Sequence, residues 1–250
     1  MNPKTHKAAF TLIELIAVMA VMVVAFAISV PLFVQNSSDV AARQAAFDVG
    51  STIRLAREWA IVNGVKSTFF IPDIGEPAAE AAFYPSGDLV AKRRCLTSYT
   101  VYAGGTNSGQ LVSTWKSLPK GLYFGDSDTG SPNCPDASTI LNLDGSSWSG
   151  ASLGTELLGG AYPEDIKINY LGTSNLKVRG ISFTSDGVSS SSNNYILITP
   201  GMSDAESLSG TTPPTITYFK GEPGEKGLTG CAIRVKSFTG AVDYYPFAHK

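Results

Sequence analysis

Lys7-Ala-Ala-Phe-Thr-Leu-Ile-Glu-Leu15 opens an almost unbroken apolar run that ends near Val34. A short basic leader (Lys4, His6, Lys7) precedes it and stops at Ala8 and Ala9. Residues 15–34 carry no charged side chain, and about 20 apolar residues are enough to cross a bilayer as a helix. One carboxylate, Glu14, sits at the head of this run. An ionisable group there is costly in lipid and reads as a functional residue whose partner must be found. Two plainer readings stand beside this one. The segment is an uncleaved anchor, or it is a secretory signal cut after a small-residue exit around Ala25 and Ala27. Its length argues against the second.

This N-terminus resembles that of type IV pilins and type II secretion pseudopilins. The resemblance implies a prepilin leader, residues 1–9, cut by a dedicated aspartyl peptidase between Ala9 and Phe10, with N-methylation of Phe10. The family usually has Gly before the cut; Ala9 is a departure, though small enough for a tight peptidase subsite. Cleavage leaves a positive amine at Phe10, four residues from Glu14 and about one helical turn away. The resemblance further implies that Glu14 of one subunit pairs with that amine on a neighbour inside a filament. A desolvated pair of this kind fixes register more than it adds stability. Head-to-tail contacts that do not close on themselves build helical filaments. Pro31 matches a proline that pilin helices often carry at this depth. It removes an intrahelical hydrogen bond and kinks the helix, or it marks a plain helix break at the membrane edge.

The chain of 250 residues is too short for two large domains behind an anchor, yet ample for one ordinary core. Abundant Gly and Pro, sparse charge and recurrent Ser/Thr/Asn tracts suit an all-β or α+β extracytoplasmic domain. Loss of residues 1–9 removes Lys4 and Lys7, so two positive charges go and the formal charge moves from −2 to −4. A mildly acidic domain has no general attraction for nucleic acid. Three cysteines, Cys95, Cys134 and Cys231, leave one disulfide and one thiol in an oxidising compartment. Cys95–Cys134 is the favoured pair, since both lie in the variable middle of the chain. With no Cys-x-x-Cys, and with His6 and His249 at the two ends, no zinc or iron site is expected and no cofactor is implied.

Helix is expected to continue past Pro31. Ala45, Val49, Ile53, Ala56 and Ala60 recur at spacings of three and four, a narrow apolar stripe, while Arg43, Asp48, Arg54 and Glu58 mark the other faces. Asn63-Gly64 ends the helix, glycine suiting the left-handed C-terminal position. The stretch from Ile53 to Val65 is similar to the "L-x-x-AR-x-x-A-I" helix end of the GspH/FimT family, the H-type minor pseudopilins and FimT-type minor pilins. Three later pieces resemble that family in the same order. Trp115-Lys-Ser-Leu-Pro-Lys-Gly-Leu122 resembles its "W-x-x-LP-x-G" segment before a strand. Ile181-Ser-Phe-Thr-Ser-Asp-Gly187 resembles its "F-x-P-x-G" hairpin, with Ser185 at the usual proline. Ile233-Arg-Val-Lys-Ser-Phe-Thr-Gly-Ala-Val242 resembles its closing strand–TG–strand hairpin.

Several tracts fall outside the resemblance. Residues 73–95 contain Glu76-Pro-Ala-Ala-Glu-Ala-Ala-Phe83, read as a helical turn, then Lys92-Arg93-Arg94, read as a solvated basic loop. Residues 125–163 read as loops between short strands. Their aspartates, Asp126, Asp128, Asp136 and Asp144, have no EF-hand spacing and read as turn formers rather than a calcium site. Residues 221–230 hold three Gly-x-y triplets, too few for a collagen helix, and read as a glycine-rich hairpin loop. Strands are expected at Tyr195–Thr199, Thr215–Phe219 and Ala232–Lys236. The chain has no Gly-x-Ser-x-Gly elbow, P-loop or His-Glu-x-x-His, and no interior histidine, so no enzyme is expected.

The expected organisation is therefore α+β with a pilin-like fold. It comprises a leader at 1–9, a transmembrane and assembly helix at 10–34, an amphipathic continuation at 35–63 packed on an antiparallel sheet, and a β-rich periplasmic domain at 64–250. The resemblance implies a single-pass inner-membrane protein that enters a type II secretion pseudopilus and helps drive protein export. The alternatives are a minor pilin of a type IV pilus, for priming, adhesion or DNA uptake, and a membrane-tethered ligand-binding domain. Implied partners are other pilin or pseudopilin subunits, the prepilin peptidase, the inner-membrane assembly platform and membrane lipid. DNA ranks lower, since near the C-terminus only Lys236 and Lys250 are basic and Asp243 stands beside them.

Overall fold

The computed structural model describes residues 12–72, 96–104, 109–125, 140–141, 164–170, 173–189, 195–204, 216–219 and 228–249. Two compact units are present, residues 1–38 and 39–250.

A single helix, α1, runs over Leu12–Asn63 with Glu14 in its first turn. The backbone stays helical through Pro31, so the proline does not end the helix as the plainer reading had it. A proline in a helix interior forfeits the bond its own N–H would have made and crowds the carbonyl four residues back, which a long helix can absorb without ending. The side chains of residues 26–39 lie outside the described residues. At the far end Asn63 Nδ2 donates to the carbonyl of Trp59 at 3.0 Å. Gly64 then adopts φ 63°, the left-handed backbone that closes a helix at least cost with glycine.

In the larger unit the expected stripe faces inward. Ala45, Val49, Ile53, Ala56 and Ala60 are all buried, joined by Ala42, Ala46 and Thr52. Most of these side chains are alanine. The strands are β1 (Ser67–Ile71), β2 (Ser98–Gly104), β3 (Gly109–Leu111), β4 (Lys116–Ser117), β5 (Leu122–Phe124) and β6 (Ile140–Leu141). They continue with β7 (Glu164–Tyr170), β8 (Thr173–Phe183), β9 (Tyr195–Ser203), β10 (Ile216–Tyr218), β11 (Leu228–Val235) and β12 (Val242–His249).

Two antiparallel sheets result. One has the order β3-β2-β1-β8-β7, with β4 on β2; the other has β10-β9-β11-β12-β6, with β5 on β9. The stripe of α1, Phe69, Val101 and Ile181 of the first sheet, and Ile198, Tyr218 and Ile233 of the second share one apolar core. Alternation sends Phe70 to the opposite face from Phe69, where it meets Trp115 edge-on at 5.4 Å. Several buried polar groups are paired: Thr68 and Ser182 share a 2.8 Å hydroxyl bond across β1 and β8, and Tyr218 Oη donates to the Phe124 carbonyl at 2.7 Å, while Thr199 Oγ1 and Thr229 Oγ1 are buried without a hydrogen-bond partner among the described residues.

The three expected strands near the C-terminus are present as β9, β10 and β11. Within residues 125–163, read as loops between short strands, Ile140–Leu141 is one short strand and pairs with the end of β12. One expectation needs correction. Leu228-Thr229-Gly230 belongs to β11 rather than to a glycine-rich loop, since pairing with β12 starts at Leu228 opposite His249. The rest of that loop, the turn at 76–83, Lys92-Arg93-Arg94 and the four loop aspartates lie outside the described residues.

Candidate functional site

The first unit offers one feature: an apolar helix with a carboxylate at its head. Leu12, Ile13, Leu15, Ile16, Val18 and Met19 are all exposed, Leu12 to 77 %. Apolar side chains continue around the whole circumference to Val24. A helix that is apolar on every face has no favourable state in water alone and needs lipid or other helices around it. Among the described residues no helix is both long and apolar enough to cross a membrane. The expected span at 15–34 passes beyond Ala25 into residues whose side chains are not described. Glu14 stands in the first turn, where a carboxylate meets the positive end of the helix. Ala9 and Phe10, the expected cleavage and methylation site, lie outside the described residues, and so do Cys95 and Cys134.

In the second unit, α1 is fastened to the sheets at two places. Arg57 Nε donates to the carbonyl of Gly187 at 3.1 Å. A Cβ on Gly240 would stand 2.1 Å from Arg57 Cδ, and one on Gly187 would stand 2.6 Å from Ile61 Cδ1. Both glycines hold positive φ, 63° at Gly240 and 78° at Gly187. Gly187 closes the turn after β8, where Thr184 N–H donates to Val188 O at 2.9 Å and Gly187 N–H to Thr184 O at 2.8 Å. Within it the Thr184 hydroxyl donates to Asp186, and that bond foremost holds the Asp186 carboxyl below its ordinary range. Gly240 closes the β11–β12 hairpin, its N–H donating to Lys236 O at 2.7 Å. The helix end and both hairpin turns thus meet at the Arg57 side chain.

The second fastening lies about two turns earlier. Tyr244 of β12 stacks on Phe47 with ring centroids 4.6 Å apart. Its hydroxyl lies where a Cβ on Gly50 would be, 2.1 Å away. The isolated Gly50 in a helical pattern was the available signal for this contact. Nearby, Lys116 Nζ donates to Thr52 Oγ1 at 3.1 Å. Cys231, the thiol left over by the expected pairing, is free and buried in the core, where burial pushes its pKa up to about 11. It is a packed apolar residue, not a reactive one.

The side of α1 turned away from the core is not uniformly polar. Val40, Phe47, Leu55 and Val62 are exposed on it, Phe47 to 54 % and Val62 to 81 %. Their spacings of seven, eight and seven keep them on one line along the helix. Sequence reading marked the charged residues of that face and missed the apolar line between them. Among the described residues no cluster of metal-ligating side chains occurs.

No protein-family model matches the chain, and no curated protein matches it. Among solved structures the chain is similar to the crystal structure of the minor pseudopilin EPSH from the type II secretion system of Vibrio cholerae, at 12 % identity. The superposition covers 85 % of this chain and 99 % of that one with a TM-score of 0.35. A likeness at that level carries no argument about role.

Proposed function

We propose that this chain is a minor pseudopilin, a filament subunit of a type II secretion system that helps drive proteins through the outer membrane. The observation that carries the reading is the head of α1. A basic leader ends at Ala9-Phe10, Glu14 follows one turn later, and the all-round apolar helix continues without interruption into a segment that packs on antiparallel sheets. In this reading residues 1–9 are removed by the prepilin peptidase and Phe10 is methylated. The apolar helix holds the precursor in the inner membrane, and residues 64–250 lie in the periplasm. Extraction into a filament leaves Glu14 without water. It then needs the Phe10 amine of a neighbouring subunit, which makes the pair a register device. A minor pilin of a type IV pilus uses the same chemistry and is the second reading; both place this chain in a filament.

Replacing Glu14 by Ala tests the mechanism. The precursor of E14A is expected to reach the membrane and be processed, while its recovery in sheared filaments falls to background. Wild-type recovery of E14A would contradict it and favour a simple tether.

A further inference from the structure

We propose that the outer edge of β12 over residues 242–246, with the flank of α1 beside it, takes an extended acidic segment of a second protein as an added strand. The proposal is independent of the filament reading.

The ladder defines the edge. Lys236 N–H donates to Ala241 O at 2.9 Å where the β11–β12 hairpin opens. Bonded and non-bonded pairs then alternate. Asp243 and Tyr245 bond to Arg234 and Ala232, whereas Val242, Tyr244 and Pro246 turn their backbone groups away from β11. Pro246 fits that register, having no N–H to withdraw from the ladder. Among the described residues the outer side of β12 is paired only at Ala248 and His249, with β6. The N–H groups of Val242 and Tyr244, and the C=O groups of Val242, Tyr244 and Pro246, are left for another strand, the template that strand addition uses.

Side chains decide what fits. The same residues of β12 face α1: Val242 lies in the shared core, and Tyr244 covers Gly50 and stacks on Phe47. A strand added here sets every second side chain along the flank of α1 that carries Arg43, Phe47, Arg54 and Arg57, spaced by four, seven and three residues. Gly240 stands at Arg57 and Tyr244 at Gly50, so Val242 is level with Arg54 and Pro246 with Arg43. Burial foremost raises the pKa of Tyr244 and of Cys231, the partner of Pro246, and the charges of Arg54 and Arg43 respectively draw them partly back. Arg43 and Arg54 are exposed, and among the described residues neither makes an ion pair. They stand about 16 Å apart along α1 at 1.5 Å per residue. Side chains four residues apart on a strand stand about 13 Å apart, within reach of two arginines. The matching segment is acid-x-apolar-x-acid, its acids opposite Val242 and Pro246 and its apolar residue against Phe47 and Tyr244. A second copy is a poor occupant, because edge-to-edge pairing about Tyr244 would set Arg43 of each chain against Arg54 of the other.

The test is fluorescence anisotropy of a labelled seven-residue peptide titrated with the full-length chain in detergent micelles. The peptide has glutamate at its second and sixth positions, leucine at its fourth and threonine elsewhere. Saturable binding is expected, weakened about tenfold by Arg43→Ala and by Arg54→Ala. The same peptide with methylated backbone nitrogens keeps every charge and should lose binding; equal binding would mean charge attraction without an added strand and overturns the proposal. A peptide with lysine for glutamate should bind the Arg43→Glu/Arg54→Glu chain and not the wild type. Hydrogen exchange at the Val242 and Tyr244 amides should slow several-fold with the glutamate peptide bound, and unchanged exchange there overturns the site. No binding of the glutamate peptide to the wild-type chain overturns it as well. So does self-association of the chain without peptide that Arg43→Ala abolishes, since the edge then belongs to a second copy.

Discussion

Arg57 of α1 donates its Nε to the backbone carbonyl of Gly187, 130 residues away in sequence, at 3.1 Å. The bond joins a helix to a turn that no local pattern would bring together. A half-buried bond from a charged donor contributes on the order of 1–2 kcal/mol, and the Arg57 stem also fills the space beside Gly240. Arg57→Ala is expected to lower stability by about that amount in denaturant titration of the solubilised chain. Arg57→Lys should recover little of it, because its ammonium does not reproduce the guanidinium geometry. A neutral Arg57→Ala would contradict this.

Gly50→Ala should destabilise despite adding a better helix former. In an open helix position that change gains about 1 kcal/mol. Here the new methyl meets the Tyr244 ring and hydroxyl, and overpacking costs typically about 1–3 kcal/mol. Thermal unfolding of Gly50→Ala beside Gly50→Ala/Tyr244→Leu decides it, with part of the loss expected to return in the double variant.

Two neighbours on one helix should behave oppositely. Ile53 is fully buried, and Ile53→Ala is expected to cost about 2–5 kcal/mol. Leu55 lies on the outward face, and Leu55→Ala should fall within about 0.5 kcal/mol for the isolated subunit. Equal effects on unfolding would mean that the faces are misassigned.

Alkaline pH should loosen the core. Burial pushes Cys231 up to about 11, and burial, with the nearby Asp48 charge second, pushes Tyr99 up to about 12. Both groups hold their protons more tightly folded than unfolded. Their contribution is complete below the unfolded values, near pH 9 and 10, and is lost as pH rises through 11 and 12. Denaturant midpoints should therefore fall between pH 9 and 12, and Cys231 should resist alkylation at pH 8 until the chain unfolds. Rapid native labelling of Cys231 would contradict its burial.

Much of the helix was legible because its signals are local. Ala45, Val49 and Ile53 repeat at helical spacing, and Gly64 marks the stop. The hairpins at Gly187 and Gly240 were expected from the resemblance of Ile181–Gly187 and Ile233–Val242 to known hairpin segments, and each turn has its glycine at positive φ. Sheet order was not. β1 lies between β2 and β8, whose residues come from distant parts of the chain, and no local period encodes which strand takes which edge. The Arg57 and Tyr244 contacts were hidden for that reason too. The outward apolar line went unread because scattered exposed apolar residues are ordinary on any surface; only the burial of the opposite side makes Val40, Phe47, Leu55 and Val62 a line.

The most direct test of the account is the mass of the mature N-terminal peptide, from protein purified out of its native membrane. A peptide beginning at N-methyl-Phe10 is the predicted result, and it would make Glu14 the first charged side chain of a processed filament subunit. An intact Met1 start, or a cut beyond Ala25, would contradict the account and leave an ordinary anchored or secreted β-rich domain.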